Sequence, residues 1–319
     1  MQLILGSRGL STEHGPYAVG MGIFDGVHIG HQKLLSRVRE LAQRDGIASL
    51  AYTFHPHPAS VLSPEKAPPL IEPLEMRLEH IAQLGLSATL VETFDQDFAQ
   101  IPPERFVEEV IVKKLETRHL VVGTNFTFGR KAAGNVAMLE RSGQEYGFQV
   151  HPIELVQADG AQVSSTKARE AVAAGRLEEG NRILGRPFAL SGVVVRGAGR
   201  GRGMGYPTAN LQVHNELVPQ TGVYAGIART PAQDGKQEWP AAVNIGFNPT
   251  FEEDERLSVE AFLLDYEGQP LYGLPLSLAL LSRLRAEERF ESVEALQNAM
   301  ADDVERTRRI VAQYQREAS

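Results

Sequence analysis

The sequence predicts a chain of class α/β + β: a parallel α/β domain, then a small antiparallel β domain with a terminal helix. As far as about residue 174, apolar strand-like runs alternate with helical patterns, which is typical of βαβ units. After about residue 186 the runs become short and β-rich, with glycine and proline between them, which indicates a small antiparallel barrel or sandwich. A length of 319 residues allows two domains, each with its own core.

The elements of the first half follow one another in order. The strand candidates are the apolar runs at 17–21, 48–54, 88–94, 119–123 and 148–153. The helix candidates are 73–84, 103–115 and 135–146, together with a helix after His31 whose apolar residues share one side. Proline and Glu104 in the first turn of the 103–115 segment are good signals for a helix start.

In the second half, the strand candidates are 190–196, 223–228, 241–245, 257–264 and 276–282. The domain boundary is predicted near Gly185, which gives domains 1–185 and 186–319. The chain then ends in a helical pattern, which we interpret as a helix docked on the β domain rather than a separate partner-binding helix. Its apolar residues near one face are Phe290, Val293, Leu296, Met300, Val304, Val311 and Tyr314.

Composition excludes several classes of function. The absence of cysteine excludes disulfides, thiolate nucleophiles and cysteine metal sites, and fits a cytoplasmic protein. A net charge of −8 argues against a nucleic-acid or anionic-lipid partner, although a local basic patch can still bind phosphate. The first residues carry no basic leader, and no apolar run approaches the roughly 18 residues of a membrane span, so neither a signal peptide nor a membrane partner is expected.

The segment GIFDGVHIGH, from Gly22 to His31, lies where a strand candidate turns into a helix. His28 and His31 are three residues apart, so they share one helix face, and each can donate a hydrogen bond to a phosphoryl oxygen. Gly26 and Gly30 let a nucleotide approach the backbone, and the helix start attracts anions. The pattern favours a polyphosphate site. The alternative is that both histidines are ordinary capping and turn residues.

A second anion-ready helix start follows at SSTKAR, residues 164–169. Its hydroxyls are suited to capping, and Arg169 lies about one turn into the helix, where it can reach back to a phosphate. A plain capped helix is the alternative. One α/β domain thus has two helix N-termini suited to binding anions, the first of which carries HxGH. This combination favours a nucleotidyltransferase that cleaves ATP between its α and β phosphates.

The segment RGAGRGRGMGYPTANL, from Arg196 to Leu211, carries a third pattern. Its glycine-rich part, with Arg196, Arg200 and Arg202, can fold over a phosphate chain; an RNA-binding arginine–glycine segment is the alternative. Thr208 and Asn210 are two apart, so they face one side of an extended chain. Both offer the oxygen ligands that Mg²⁺ prefers beside nucleotide phosphates.

The motifs of the first half resemble the adenylyltransferase module of prokaryotic bifunctional riboflavin kinase/FAD synthetases. They are GIFDGVHIGH, TFHPHP (53–58), VGTNFTFGR (122–130) and SSTKAR, in this order. The resemblance implies a Rossmann-like domain that transfers AMP from ATP to FMN, giving FAD and pyrophosphate. Class I aminoacyl-tRNA synthetases carry a similar HIGH signature, but they pair it with a KMSKS-type loop, and this chain has SSTKAR instead. The residues implied are His28 and His31 for catalysis; Gly22, Phe24, Gly30, Asn125, Ser164, Thr166 and Arg169 for ATP and its phosphates; and His57, Pro58 and Asn125 for the flavin.

The second half is similar to the riboflavin kinase module of that family, through residues 186–211, GVYAG (222–226), VNIGFNPTF (243–251), VEAFLLDY (259–266) and RLRAEERFESVEAL (283–296). This resemblance implies a six-stranded β-barrel that phosphorylates riboflavin with ATP and Mg²⁺. Taken alone, Glu260 is an acidic residue on a strand face exposed to solvent. The residues implied are Glu260 as the base; Gly197, Arg202 and Gly205 for phosphates; Arg285 and Glu288 for the flavin; and Thr208 and Asn210 for the metal.

The sequence therefore predicts an enzyme with small-molecule partners: riboflavin, FMN and ATP as substrates, and FAD as product. Self-association is expected to be weak where it occurs. Two other hypotheses remain at this point. In one, the kinase works and the first half is inactive. In the other, the chain is a non-catalytic flavin-binding or RNA-binding module, against which the acidic net charge weighs.

Overall fold

The computed structural model describes residues 1–7, 15–154, 156–158, 160–197, 208–230, 238–248 and 256–317. These residues form two compact units, Met1–Ser165 and Thr166–Ser319. In the described segments, none of the helices combines the length and the apolar character needed to cross a bilayer.

The described part of the first unit is built on a six-stranded parallel sheet of order β1-β4-β3-β2-β5-β8, which confirms the predicted parallel α/β class. Two two-stranded pairs, β6–β7 and β9–β10, accompany it. The strands are β1 (Gln2–Leu5), β2 (Tyr17–Met21), β3 (Ala48–His55), β4 (Ala88–Thr93), β5 (Thr117–Gly123), β6 (Thr127–Phe128), β7 (Gly134–Asn135), β8 (Gln149–Ile153), β9 (Gln157–Ala158) and β10 (Ala161–Gln162).

Helices cover both faces of this sheet. Residues of α1 pack with Ile81 of α3 against one face, and Phe106, Ile111 and Leu139 pack against the other. The predicted 103–115 helix is α-helical only in its first turn and continues as a π-helix over Val107–Lys114. The helices are α1 (Ile29–Asp45), α2 (Pro58–Leu62), α3 (Leu74–Gln83), α4 (Gln96–Ala99), α5 (Pro103–Phe106) and α6 (Val136–Tyr146).

Helix α7 (Ser165–Ala173) begins at the last residue of the first unit and continues into the second, where α8 (Leu177–Leu184) follows. Six strands follow and form a closed antiparallel barrel of order β11-β12-β15-β14-β13-β16. Of the two architectures that the strand pattern allows, barrel and sandwich, the structure has the barrel. Pairing of β11 with β16 closes it. The strands are β11 (Phe188–Val195), β12 (Thr208–Val213), β13 (Gly222–Arg229), β14 (Glu238–Asn248), β15 (Arg256–Leu263) and β16 (Pro275–Arg285).

The terminal helix α9 (Val293–Glu317) packs on the barrel, as the sequence predicts. Val311, Ile310 and Tyr314 contact the barrel core cluster that contains Ile227 and Leu281. The expectation that Val293 lies on the buried face is wrong: its relative exposure is 64%. Val293 is the first helical residue and precedes the turns that reach the barrel.

Candidate active sites

The segment between β2 and α1, residues 22–27, has an unusual backbone; we call it the 22–27 loop. Phe24, Gly26 and Val27 have φ angles of 55°, 75° and 34°. Positive φ is expected of glycine but strains a residue with a Cβ, most of all a β-branched one such as Val27. Strained backbone of this kind persists only where its surroundings determine it, and it clusters at functional sites.

His28 follows this loop and caps α1. Its Nδ1 accepts the backbone N–H of His31 at 3.3 Å, and its side chain is buried. The two imidazole rings stack with centroids 3.6 Å apart, and the edge of Phe24 meets His31 at 5.2 Å. A Cβ on Gly30 would lie 3.1 Å from the His28 ring, so glycine makes room for the stack. Because Nδ1 is an acceptor, neutral His28 carries its proton on Nε2.

A cavity of about 250 Å³ opens at this end of the sheet. It lies where β2, β5 and β8 end, which is the edge at which parallel α/β sheets bind ligands. Glu154 and Phe126 also line it, although the sequence alone did not select them. Seven residues predicted from the sequence contribute to its lining: Gly22, Phe24, His28, Gly30, His31, Asn125 and Ser164.

Four other predicted residues do not line this cavity. His57 is the N-cap of α2, and its Nδ1 accepts the Ala59 N–H at 3.0 Å; Pro58 is the first residue of that helix. Thr166 and Arg169 lie in α7, in the second unit. Thr166 is exposed and Arg169 is half-buried.

A buried polar network supports the 22–27 loop, and sequence reasoning missed it. Thr53 and Arg77 each donate to the Ile23 carbonyl at 2.8 Å, and the Asp25 carboxylate accepts the Ile71 N–H at 3.0 Å. Burial lowers the pKa of the Arg77 guanidinium, and the charges of Asp25, Glu72 and Glu75 act in the opposite direction. The acidic residue within GIFDG was the available signal for this network.

In the barrel, Glu260 lies in a row of polar residues that crosses three strands. Asn210 of β12 and Asn244 of β14 are its direct partners in register. The neighbouring residues Val259 and Ala261 are buried, so this row lies on the opposite face of the sheet. Thr208 donates a hydrogen bond from its hydroxyl to Oε2 of Glu260 at 3.3 Å.

A cavity of about 380 Å³ is lined by Glu260 and Asn244 of this row, but not by Asn210. Its walls include Glu260, Thr208, Arg285 and Glu288, four residues predicted from the sequence. Asp303 of α9 also lines it and binds Arg285 through two of its nitrogens, the shortest contact being 2.8 Å. No sequence pattern indicates Asp303, because only the packing of α9 on the barrel brings it to the cavity.

Thr208 also lines a second barrel cavity, of about 200 Å³. Its walls include Tyr266, Leu271 and Tyr272, and the Arg196 guanidinium lies 5.9 Å from the centre of the Tyr272 ring. These two cavities therefore share Thr208, whose hydroxyl is hydrogen-bonded to Glu260.

The predicted glycine-rich phosphate loop is described only in part. Gly197 lies against Asn210, and a Cβ there would stand 2.2 Å from the Asn210 amide nitrogen. Arg202 and Gly205 lie outside the described residues.

Family comparisons assign both units. The FAD synthetase family model matches residues 10–167, and the riboflavin kinase family model matches residues 184–311. A bifunctional riboflavin kinase/FMN adenylyltransferase of Pseudomonas fluorescens is 38% identical over 98% of both chains. The chain belongs to this family. It is an enzyme that phosphorylates riboflavin and adenylylates FMN.

Other members of the family are nearly as similar to this chain as the Pseudomonas enzyme is. The enzyme with that name from Escherichia coli K12 is 34% identical over 95% of this chain and 96% of its own. The one from Listeria monocytogenes is 34% identical over 93% of both. A solved structure described as a macrolide-efflux protein from Streptococcus pneumoniae has a TM-score of 0.86 and 28% identity, covering 97% of this chain and 99% of that one. That last likeness is one of fold.

Proposed function

We propose that the two reactions take place in separate cavities of this chain. Adenylylation of FMN is assigned to the cavity that contains His28 and His31, and phosphorylation of riboflavin to the barrel cavities around Glu260 and Thr208. The observation that carries the kinase assignment is the Thr208–Glu260 hydrogen bond at 3.3 Å, because Thr208 lines both barrel cavities. The stacked histidine pair at the start of α1 carries the transferase assignment.

In adenylyl transfer, a phosphate oxygen of FMN bonds to the α-phosphorus of ATP, and the bond from that phosphorus to pyrophosphate breaks. No proton has to leave a carbon or a hydroxyl, so the protein's task is to align the groups and stabilise negative charge. His28 and His31 are suited to this task because imidazole N–H groups donate hydrogen bonds, and they lie at a helix start, where the helix dipole favours negative charge. Gly22, Gly30 and Ser164 line the same cavity and leave room for the phosphates, and Asn125 adds an amide that can orient FMN.

In the kinase reaction, the 5′-hydroxyl oxygen of riboflavin attacks the γ-phosphorus of ATP while its bond to ADP breaks. The hydroxyl proton passes to the Glu260 carboxylate, which acts as general base. Thr208 and Ser258 donate to the two oxygens of Glu260, at 3.3 and 3.4 Å, and so fix the direction in which the carboxylate points.

The two barrel cavities suit the two substrates of the kinase. The larger cavity has apolar and aromatic walls from Phe262, Phe290 and Met300, which fit an isoalloxazine ring, and Arg285 and Glu288 can meet its polar edge. The smaller cavity offers Tyr266 and Tyr272 to a nucleotide base. With riboflavin in the first and ATP in the second, the reacting groups meet at Thr208.

Mg²⁺ fits the oxygen-bearing side chains around Thr208. Thr208, Asn210 and Glu260 bring hydroxyl, amide and carboxylate oxygens to adjacent register positions of two strands. Within the described residues, histidine, cysteine and acidic side chains form no three-membered metal cluster. A magnesium ion held by few protein oxygens and by the nucleotide phosphates matches this donor set. When bound, Mg²⁺ neutralises charge on the triphosphate.

The remaining assignments from the family resemblance are kept as part of the proposal. Thr166 and Arg169 hold pyrophosphate, His57 and Pro58 contribute to flavin binding, and Gly197, Arg202 and Gly205 bind ATP phosphates in the kinase reaction. The proposal assigns one activity to each of the domains 1–185 and 186–319. A cytoplasmic location and weak self-association also remain predictions.

The first experiment incubates the protein with riboflavin, ATP and MgCl₂ and separates the flavins by chromatography over time, for the wild type, Glu260→Gln and His28→Gln. We expect Glu260→Gln to lower the rate of FMN formation by about 10²–10⁴-fold, the usual contribution of a general base, and to leave adenylylation of supplied FMN unchanged. His28→Gln should show the reverse. Loss of both activities in either folded variant would contradict separate sites.

A further inference from the structure

We propose that Arg77 and Asp25 are positioning residues for adenylyl transfer: from outside the cavity, they hold the 22–27 loop in the conformation that directs His28 and His31 at the nucleotide. This inference rests on the proposed assignment of the two histidines to the transferase site. Neither Arg77 nor Asp25 lines the cavity. Both act through the backbone of the loop.

The 22–27 loop is strained, so other parts of the structure must hold it. Three of its residues have positive φ, and Val27 reaches 34° although it is β-branched. The loop leads directly into His28, with no residue between them that could absorb a displacement. A relaxed loop would therefore shift the His28 ring and, through the 3.6 Å stack, the His31 ring.

Arg77 supports the loop at Ile23. The residue is 1% exposed, and its Nη1 donates to the Ile23 carbonyl oxygen at 2.8 Å. The Thr53 hydroxyl donates to the same oxygen at 2.8 Å. This carbonyl therefore takes a charge-assisted hydrogen bond from α3 and a neutral one from β3, and the two directions together fix the peptide between Ile23 and Phe24.

Asp25 fixes the loop two residues further on. The residue is 2% exposed, and its carboxylate accepts the Ile71 N–H at 3.0 Å. Its backbone carbonyl accepts the Ser165 hydroxyl at 2.9 Å, and Ser165 lines the cavity. The loop is therefore held by contacts from three other segments: β3, the region of Ile71 and α3, and Ser165.

The chemistry of these groups favours positioning over stability. A buried cation and carboxylate cost desolvation energy, and well-packed apolar residues often stabilise a core equally well or better. Directed hydrogen bonds to a backbone carbonyl and a backbone N–H do what apolar residues cannot, which is to fix the orientation of a peptide. A displacement of about 1 Å at the reacting groups can lower a rate by about 100-fold.

The test compares Arg77→Met, Arg77→Lys and a control, Arg39→Met. Arg39 also donates to a backbone carbonyl in this unit, that of Leu84 at 2.9 Å, and it does not line the cavity. With FMN and ATP, we expect Arg77→Met to lower kcat for FAD formation by about 10- to 100-fold, with KM values changed by less than about 3-fold. Arg77→Lys should recover part of kcat, because an ammonium can still donate to Ile23. Arg39→Met should keep kcat within about 2-fold.

Riboflavin kinase activity of each preparation serves as an internal control, since its proposed residues belong to the other unit. If Arg77→Met fails to fold, Thr53→Val replaces it. Thr53→Val removes the second donor to Ile23 with little change of volume, and we expect it to lower kcat about 3- to 10-fold. Unchanged kcat in a folded Arg77→Met, or in Thr53→Val where Arg77→Met does not fold, would overturn the positioning role. An equal loss in Arg77→Met and Arg39→Met would also overturn it.

His28→Gln is measured in the same experiments, so that failure of the positioning role can be distinguished from failure of the site assignment. A low rate of FAD formation in His28→Gln with normal rates in the Arg77 variants would overturn only the positioning role. A normal rate in His28→Gln would overturn the site assignment and the positioning role with it.

Discussion

The hydroxyl oxygen of Thr208 lies 3.3 Å from a carboxylate oxygen of Glu260, across the antiparallel strands β12 and β15. In register, Thr208 is paired with Phe262 and Glu260 with Asn210, so the contact is a diagonal one on a single face of the sheet. Thr208 lines both of the barrel cavities described above. Under the proposed assignment, its hydroxyl is a hydrogen-bond donor to the general base beside the reacting groups.

Thr208→Val should impair the kinase specifically. The substitution keeps the shape of the side chain but removes both the donor to Glu260 and a proposed oxygen ligand of Mg²⁺. We expect kcat for FMN formation to fall by about 10- to 100-fold and the Mg²⁺ concentration for half-maximal rate to rise. Thr208→Ser, which keeps the hydroxyl, should retain most of the rate. Magnesium titrations of FMN formation measure both effects, and equal rates for the valine and serine variants would contradict them.

The Arg285–Asp303 pair should stabilise the barrel unit. Asp303 is 4% exposed, and its removal leaves a largely buried guanidinium without its partner, a change that typically costs about 3 kcal/mol or more. Asp303→Ala should lower the free energy of unfolding of the barrel by about that amount and raise KM for riboflavin, because Asp303 lines the cavity proposed to hold the flavin. Trp239 is the sole tryptophan and lies in β14, so its fluorescence in urea follows the barrel.

Asp302→Ala is the matched control for Asp303→Ala. Asp302 is the neighbouring residue of α9, and it forms an exposed pair with Arg306 at 3.6 Å. Exposed pairs of this kind contribute at most about 1 kcal/mol. Similar loss of stability in the two variants would show that helix α9, and not the buried pair, determines the result.

Most strands of both units could be predicted from the sequence because their apolar runs are local. Strand β1 could not: of its four residues only Ile4 is buried, while Leu3 and Leu5 are exposed by 48% and 72%. An edge strand of this kind carries no clear period. The choice between barrel and sandwich could not be made from the residues themselves either, since it depends on pairing of β11 with β16, whose residues Phe188 and Leu280 are far apart in the chain.

The candidate site residues also fall into two groups, those that a local motif indicates and those that only tertiary packing brings to the site. His28 and His31 could be proposed from the residues themselves because they lie in a short motif whose spacing suits phosphate binding, whereas Glu260 was proposed only through the family resemblance of its segment. Arg77 and Asp303 were not found because their own segments read as ordinary amphipathic helices. Each reaches its site through tertiary packing, Arg77 by donating to Ile23 and Asp303 by binding Arg285.

Gly30→Ala should impair adenylylation without destabilising its helix. A Cβ at this position would lie 3.1 Å from the His28 ring, so the stack of His28 on His31 must shift. Alanine favours a helix over glycine by up to about 1 kcal/mol, so α1 itself should not weaken. We expect kcat for FAD formation to fall by about 10-fold, measured with FMN and ATP as substrates. Ser36→Ala, on the same helix, should leave kcat unchanged, and a normal rate in Gly30→Ala would contradict a role for the stacked geometry.

The stability of the first unit should depend on pH through His151. Burial is the main cause that lowers the pKa of His151, and the charges of His119, Arg37 and Arg44 lower it further. Asp45 titrates at lower pH: a hydrogen bond from Arg44, and a second from His119, hold the pKa of its carboxyl well below the usual range. Because the unfolded histidine binds protons more readily than the folded one, stability falls as pH drops below about 6.5.

Replacing His151 should therefore flatten this dependence. We expect the temperature of half-inactivation of the adenylyltransferase to fall between about pH 7.5 and about pH 5.5 in the wild type, and to fall less in His151→Gln, which cannot take up the proton. The Asp45 carboxylate contributes stability that is lost only near and below about pH 4, outside this window. Heated samples are returned to pH 7.5 before assay, and kinase activity in the same samples is the control, because His151 lies in the first unit. If the temperature of half-inactivation falls equally in the wild type and in His151→Gln over this pH range, the pH dependence arises from other groups.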